Sequence, residues 1–196
     1  MKLRLGIDLD ETLINNVVKL DGSKSKWSIK KGALKWLPEL TNNFEFHLIT
    51  ARADKSEVDA IVAVIQWKCR VEFESVTLTY YEKKGKFAHD VGCKWLIDDY
   101  PEYLSNCKDY DIVPILLNKK KYKKKYKDFV VCENWEEIVK YLQKEYKDTM
   151  RDMSRVLKER QDEIKPIEKS VLEIKEIMHG IDQLTNEQQK ELDTIH

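Results

Sequence analysis

The stretch KLRLGIDLDETL, residues 2–13, decides the fold because an apolar run within it ends on two carboxylates. The apolar residues, dense enough in branched side chains for a buried strand, are Leu3, Leu5, Ile7 and Leu9. Asp8 and Asp10 follow at the point where such a strand would leave the core. We therefore expect a pair of carboxylates at the carboxyl end of a central strand.

Asp8 and Asp10 are two residues apart, so a continuing strand would place them on one face, and a turn at Leu9 would direct both toward a shared point. Carboxylates this close repel each other, and each raises the pKa of the other unless a cation lies between them. Because the pair offers only oxygen ligands, the sequence predicts a divalent ion, Mg²⁺, at this position.

The chain up to residue 142 alternates strands with helices. Further strands are predicted at residues 44–49, 71–80, 94–97, 112–117 and 129–132, and helices at residues 33–41, 56–68, 85–91 and from residue 134 onward. This alternation predicts an α/β fold, a Rossmann-like doubly wound parallel sheet with helices on both faces. Ligands of such sheets bind beyond the carboxyl ends of the strands. Thr50, Asp98 and Asp99 fall at two of these ends, which predicts one site shared with Asp8 and Asp10.

The segment DLDETL, residues 8–13, resembles the DxDx[TV] signature of the haloacid dehalogenase superfamily, whose members are aspartate-nucleophile phosphohydrolases. The resemblance implies that Asp8 is the nucleophile and forms an aspartyl-phosphate. It implies that Asp10 protonates the leaving oxygen and then activates water. It also implies that Thr50 hydrogen-bonds a phosphoryl oxygen, with Ala51 beside it in the substrate site.

The same resemblance implies a magnesium site and a lysine that pairs with the phosphoryl group. The implied ligands of Mg²⁺ are Asp8, the carbonyl of Asp10, Asp98 and Asp99. Lys83, Lys84 and Lys86 compete for the role of the lysine. We favour Lys86, because it opens the helix that leads to the strand of Asp98, as in relatives with a lysine about a dozen residues before the acidic pair.

Four stretches, LITAR, LIDDYPE, PILLN and NWEEIVKYL, resemble the deoxyribonucleotidase-type branch, which dephosphorylates nucleoside monophosphates. That branch typically carries a helical cap after the first motif, and residues 14–32 are too short to build one. Its first motif usually ends in Gly-Val, whereas Glu-Thr-Leu is closer to capless phosphatases that act on proteins or polynucleotide ends. The expected function is a nucleotidase; the alternative is a polynucleotide-end or phosphoprotein phosphatase.

The charges balance, with 35 Lys and Arg against 35 Asp and Glu, so any attraction for a polyanion must be local. The run KKKYKKKYK, which begins at Lys119 and ends at Lys127, could hold a nucleic-acid backbone and stack a base, or it could be a solvated loop. Four cysteines without a CxxC pair predict reduced thiols. The sequence has no leader pattern and no apolar run of membrane length, so we expect a soluble cytoplasmic protein.

Residues 143–196 differ in composition and predict a helical extension to the phosphatase-like domain of residues 1–142. Steps of three and four residues, broken only at Arg160, link Met150, Met153, Leu157, Ile164, Ile167, Val171, Ile174, Met178 and Ile181. This repeat predicts a coiled-coil seam. Pro166 is expected to kink or break the helix, and Gly180 to end it. Homo-oligomerisation or folding back as a hairpin would cover the seam, and a non-catalytic assembly module acting through this tail is a further alternative.

Overall fold

A parallel sheet forms the centre of the computed structural model, which describes residues 2–17, 26–118 and 125–194. The strands, in chain order, are β1 (Leu3–Ile7), β2 (Ile14–Val17), β3 (Lys26–Ile29), β4 (Phe44–Thr50), β5 (Phe73–Leu78), β6 (Trp95–Asp98), β7 (Val113–Leu117) and β8 (Val130–Cys132). The helices are α1 (Lys31–Trp36), α2 (Lys55–Cys69), α3 (Gly85–Asp90), α4 (Pro101–Leu104) and α5 (Trp135–Thr194). Two 3₁₀ turns lie at Leu37–Leu40 and Cys107–Tyr110.

Six of the described strands form the sheet, in the order β5-β4-β1-β6-β7-β8. β1 pairs in parallel with β4 on one side and with β6 on the other, so that Leu5 lies opposite both Phe46 and Trp95. The chain moves outward from β1 in both directions, which confirms the predicted doubly wound α/β fold. A crevice for ligands forms where the strand order reverses, at the carboxyl ends of β1, β4 and β6.

Apolar side chains cover both faces of the sheet because the strands are buried on two sides. On one face Trp95 and Ile97 pack with Phe44 and the first turns of α5, and on the other Leu96 packs with Ile49 and α3. Gly6 lies where the strands are crowded: a Cβ there would come within 2.9 Å of Leu96 Cδ1. The four cysteines are all buried, and none of them forms a disulfide in the described part of the chain.

The segment after β1 contains a short antiparallel hairpin of β2 and β3, which the sequence analysis did not predict. Asn16 pairs with Trp27 in its register. The strands are four residues each, and their side chains are too polar to produce a clear alternation of apolar and polar positions.

Helix α5 contains Pro166 in its interior and continues through Gly180 to Thr194. The helix therefore does not break at Pro166, one of the two outcomes expected there, and the expected end at Gly180 is wrong. Proline costs about 3 kcal/mol in a helix interior, which long runs of good helix formers on both sides can offset. By its internal contacts the chain divides into Met1–Tyr146 and Lys147–His196. None of the described helices has the length and the apolar character needed to cross a membrane.

His47 on β4 is a buried titratable group outside the carboxyl-end crevice. Its Nδ1 lies 2.8 Å from Ser75 Oγ, and its buried Nε2 has no hydrogen-bond partner in the described part of the chain. Burial, and secondarily the charge of Arg4, lower the pKa of His47. The folded protein therefore favours the neutral ring.

We expect His47 to make the folded state less stable in acid. A lowered folded-state pKa means that the unfolded chain binds the proton first, so stability is lost as the pH falls below the unfolded value of about 6.5. In urea unfolding of metal-free protein at about pH 7.5 and pH 5.5, wild type should lose more stability than His47→Gln, which does not titrate. Equal losses in the two proteins would contradict this role.

Candidate active site

A tight turn after β1 positions the first two carboxylates. The backbone N–H groups of Leu13 and Ile14 both donate to the carbonyl of Leu9, at 2.9 and 3.1 Å, which closes one helical turn. Glu11 within it has a left-handed backbone with φ 52°. Trp135 of α5 stabilises the turn, because its indole Nε1–H donates to the carbonyl of Thr12 at 3.1 Å. Asp8 and Asp10 leave this turn in different directions.

Asp8 is part of a buried group of three charges. Lys84 Nζ donates to Asp8 Oδ1 at 2.5 Å and to Asp98 Oδ2 at 2.7 Å. Asp98, at the end of β6, also accepts from the backbone N–H of Tyr100 at 2.8 Å. The Lys84 side chain is fully buried and its two partners are nearly so. An ammonium between two carboxylates leaves this group with one net negative charge.

The burial of the group changes the proton affinity of its members. Burial, and then repulsion by Asp98, raise the pKa of Asp8 to about 7 against the opposing effect of Lys84. Burial also raises the pKa of Asp98. For Lys84 burial acts to lower the pKa, but Asp8 and Asp98 outweigh it and the pKa is raised. Lys84 therefore stays charged, and a second positive charge is needed to keep both carboxylates ionised at neutral pH.

The chain before α3 fixes the position of Lys84. Its backbone N–H donates to the carbonyl of Tyr103 at 2.9 Å, and the N–H of Gly85 donates to Asn106 Oδ1 at the same distance. A Cβ on Gly85 would lie 2.7 Å from the Asn106 carbonyl oxygen, so glycine is required for this approach. The Tyr103 ring lies 4.8 Å from Lys84 Nζ. These contacts direct the ammonium toward β1 and β6.

Lys86, the lysine favoured from the sequence, lies elsewhere. Its ammonium pairs with Asp90 on the next turn of α3 at 2.7 Å, and its side chain is 60% exposed. The structure thus places Lys84, not Lys86, against Asp8 and Asp98. Lys84 lies just before α3 and Lys86 lies in its first turn, so the two lysines are only two residues apart and face different directions.

Asp10 belongs to a second group, whose side chains are more exposed to solvent than those around Lys84. Arg52 donates to both oxygens of the Asp10 carboxylate, through Nη2 at 2.7 Å and Nε at 2.9 Å, and Asn16 Nδ2 donates to Oδ1. Arg52 also donates to Asn16 Oδ1 at 3.1 Å. Burial alone would raise the pKa of Asp10, but the bonds from Arg52 and Asn16 outweigh it and lower the pKa. Asp10 is thus held as an oriented carboxylate.

Three carboxylates meet at the carboxyl ends of β1 and β6 in a way that suits a hard cation. Asp8, Asp98 and Asp99 each offer one oxygen, and these oxygens lie within 4.8 Å of one another. Neighbouring ligands of octahedral Mg²⁺ are about 3 Å apart and opposite ligands about 4.2 Å, so the three oxygens would move closer together to share one ion. Burial, and then the charge of Asp8, raise the pKa of Asp99 to about 6. The Asp10 carboxylate lies outside this group, and its carbonyl as a ligand stays a prediction.

An open cleft of about 310 Å³ exposes these groups to solvent. It is lined by Asp8, Asp10, Asn16, Ala51, Arg52, Tyr81, Asp98, Asp99 and Tyr103. Thr50 is buried at the end of β4, where its Oγ1 accepts from the backbone N–H of Arg52 at 3.4 Å. A larger cavity of about 460 Å³ lies at the opposite end of β4, near Phe44 and Arg70, away from the carboxylates.

The structure brings Asp8, Asp10, Ala51, Asp98 and Asp99 together around one cleft, and it buries Thr50 at the end of β4, where it contacts the backbone of Arg52. It also brings Lys84, Arg52, Asn16, Tyr81 and Tyr103 to the site; sequence reasoning named Lys84 only as an alternative to Lys86 and missed the other four. Arg52 could have been found, since it lies two residues after Thr50 at a strand end. Asn16 on β2, Tyr81 before α3 and Tyr103 on α4 reach the site through the packing of separate elements, which leaves no periodic signal in the sequence.

Lys84 should contribute to stability far more than Lys86. Replacing Lys84 with Met leaves two buried carboxylates without their cation, and we expect a loss of about 3 kcal/mol in the free energy of unfolding near pH 8. Lys86→Met, a change of the same size on an exposed ion pair, should leave the unfolding midpoint unchanged. Urea unfolding in EDTA measures both; equal midpoints for the two variants would contradict the buried role of Lys84.

No family model matches this chain, and no curated protein is similar to it in sequence. Its fold is similar to that of D,D-heptose 1.7-bisphosphate phosphatase from B. bronchiseptica, solved with magnesium and phosphate, at a TM-score of 0.55 and 15% identity over 74% of this chain and 99% of that one. It is also similar to a HAD-superfamily hydrolase from Ehrlichia chaffeensis, at a TM-score of 0.53 and 11% identity over 74% and 98%. These likenesses show that the chain has the α/β fold of these two proteins, the second of which belongs to the haloacid dehalogenase (HAD) superfamily.

Proposed function

We propose that this chain is a magnesium-dependent phosphatase that hydrolyses phosphate monoesters through Asp8. The observation that carries the proposal is the position of Asp8, which borders an open cleft while Lys84, itself bonded to Asp98, holds its carboxylate from the buried side. A carboxylate fixed in this way can attack an electrophile that enters from the cleft. The HAD fold and the DLDETL motif support the same chemistry.

In the proposed reaction a carboxylate oxygen of Asp8 forms a bond to phosphorus as the ester P–O bond breaks. Asp10, after taking up a proton, gives it to the leaving oxygen. Asp10 then accepts a proton from a water molecule, whose oxygen attacks the aspartyl-phosphate and releases phosphate with regeneration of the Asp8 carboxylate. Lys84 offsets the charge beside Asp8 throughout.

Asp8, Asp98 and Asp99 would hold the magnesium ion, with the carbonyl of Asp10 as a further ligand. The ion would offset the negative charge of carboxylates and phosphoryl oxygens that otherwise repel. Arg52 lines the cleft with its Nε and Nη2 on Asp10, and because the guanidinium fork also suits phosphoryl oxygens, we include it with Thr50 in the phosphate site. Asn16 keeps the Asp10 carboxylate oriented when Arg52 engages the substrate.

For the substrate we propose a phosphorylated nucleotide, with a nucleoside monophosphate as the first of two candidates. The support is the resemblance of LITAR, LIDDYPE, PILLN and NWEEIVKYL to the deoxyribonucleotidase-type branch, together with two tyrosine rings, Tyr81 and Tyr103, on the cleft wall. A polynucleotide end is the second candidate. The open cleft and the lysine run favour it, although Lys119 and the residues up to 124 lie outside the described part of the chain. The free buried thiols fit a reducing compartment such as the cytoplasm.

For the tail we propose self-association through the apolar seam. In the described residues the seam is open to solvent, with Ile167 63% exposed and Ile174 56% exposed. The other exposed members are Leu157, Ile164, Val171 and Met178. A heptad seam of this length is buried by a second helix of matching repeat, which a second copy of the chain supplies. The continuous helix through Pro166 weighs against the alternative of a hairpin between residues 157 and 178.

Phosphate release tests the enzyme proposal. Wild type with Mg²⁺ should hydrolyse a nucleoside monophosphate, and Asp8→Asn should lower kcat by at least about 10³-fold because the amide is a poor nucleophile. Asp59→Asn, the same change on the exposed surface of α2, is the control and should retain activity. EDTA should abolish release. Activity that persists in Asp8→Asn, or that does not need a divalent ion, would refute the mechanism.

Light scattering after size exclusion tests the tail. The full chain should have a mass of at least two copies, and Ile167→Glu should reduce it to one because a buried carboxylate in the seam is costly. Lys169→Glu introduces the same charge two residues away, at a position outside the seam, and should leave the mass unchanged. A monomeric wild type would remove the coiled-coil proposal.

A further inference from the structure

A second pocket, of about 280 Å³, lies next to the active-site cleft. Its lining residues are Tyr100, Pro101, Glu102, Ser105, Tyr126 and Phe129. The pocket is formed by the first residues of α4 and by the chain that leads into β8. Neither the proposed hydrolysis nor the tail uses it.

A pair of tyrosine rings connects the pocket with the cleft. Tyr103 lines the cleft and Tyr100 lines the pocket, and their ring centroids are 5.3 Å apart with the planes at 61°. Tyr100 directly follows Asp99, one of the three clustered carboxylates. The Tyr100 side chain is 55% exposed, so its ring is accessible from solvent. A ligand that reaches from Asp8 past Tyr103 would therefore meet Tyr100 next.

The far wall of the pocket is also aromatic. The rings of Tyr126 and Phe129 are stacked, with centroids 5.3 Å apart and an angle of 8° between their planes. Phe129 packs against the core on one side of the sheet, which anchors the pair. Two nearly parallel rings fixed in this way give the pocket a rigid aromatic wall against which a nucleobase can pack.

We propose that this pocket binds a nucleobase of a single-stranded polynucleotide whose terminal phosphate lies at Asp8; the proposal rests on the phosphatase activity and selects the polynucleotide end as its substrate. The ring-lined path from the cleft to the pocket through Tyr103 and Tyr100 gives successive bases aromatic surfaces. Stacking of this kind is tolerant of sequence, because every base has a π face.

Charge next to the pocket fits the same ligand. Lys125 Nζ lies 5.2 Å from the centroid of the Tyr126 ring, and Lys127 follows with an exposed side chain. Both lysines belong to the run KKKYKKKYK. Ammonium groups beside stacked rings suit a ligand that alternates phosphodiesters with bases. A phosphopeptide has no such regular alternation, so the lysines and rings together favour the polynucleotide.

The ratio of two specificity constants tests the proposal. We would measure kcat/KM for thymidine tetranucleotides phosphorylated at the 5′ or the 3′ end, and for para-nitrophenyl phosphate, which is too small to reach the pocket. Tyr126→Leu removes the ring but keeps an apolar side chain, and the ratio for the better tetranucleotide should fall about tenfold. Partial unfolding lowers both constants equally and so leaves the ratio unchanged.

Trp67→Leu is the matched control, since Trp67 is a 73% exposed aromatic residue on α2 that lines neither the cleft nor the pocket. It should leave the ratio at the wild-type value. A wild-type ratio in Tyr126→Leu would overturn the proposal while the phosphatase activity stands. A fall in the ratio for a phosphopeptide, without one for the tetranucleotide, would also overturn it.

Binding separates the two proposals if no substrate is turned over. In the Asp8→Asn background, fluorescence anisotropy of a labelled thymidine tetranucleotide should show about tenfold weaker binding after Tyr126→Leu and no change after Trp67→Leu. That result, without phosphate release by wild type, would reject the phosphatase and keep the polynucleotide site. Equal affinity in all three proteins would reject the site.

Discussion

The ammonium of Lys84 between Asp8 and Asp98 is the interaction on which the rest of the site depends. The three residues of this interaction lie on separate elements, and they meet only when β1, β6 and the start of α3 have all folded into place. Burying them costs several kcal/mol per ion, and removing one member leaves an uncompensated charge. The sheet order and the contacts before α3 therefore together place the Lys84 ammonium at the carboxyl ends of β1 and β6.

The site divides into a buried part and a part that is exposed to solvent. Asp8 and Lys84 lie in the protein interior, where their mutual attraction is strong, whereas Asp10 and Arg52 lie at the cleft and share contacts with Asn16. This division suits a reaction with two kinds of demand. A nucleophile benefits from a fixed position, and a proton donor must exchange its proton with water between the two halves of a cycle.

Sequence patterns predict most of the sheet and much of the site, because strand ends follow from short-range apolar periodicity. Asp8, Asp98 and Asp99 could be placed in this way. The choice between Lys84 and Lys86 could not, since the chain after β5 passes through left-handed backbone at Tyr80 and Tyr81, with φ 50° and 68°, before α3 begins. Pattern analysis has no access to such turns. The break expected at Pro166 failed for another reason: a local proline cost was outweighed by the helix propensity of its surroundings.

The Trp135 indole that holds the Thr12 carbonyl also packs against Gly32, where a Cβ would lie 3.0 Å from Trp135 Cδ1. The first residue of α5 is therefore constrained from two directions, by the turn that carries Asp8 and Asp10 and by the start of α1. Substitutions at Gly32 and at Trp135 are therefore coupled. Among homologues, a side chain larger than glycine at position 32 should occur together with a smaller ring at position 135, so the pair should covary while the neighbouring surface of α5 drifts.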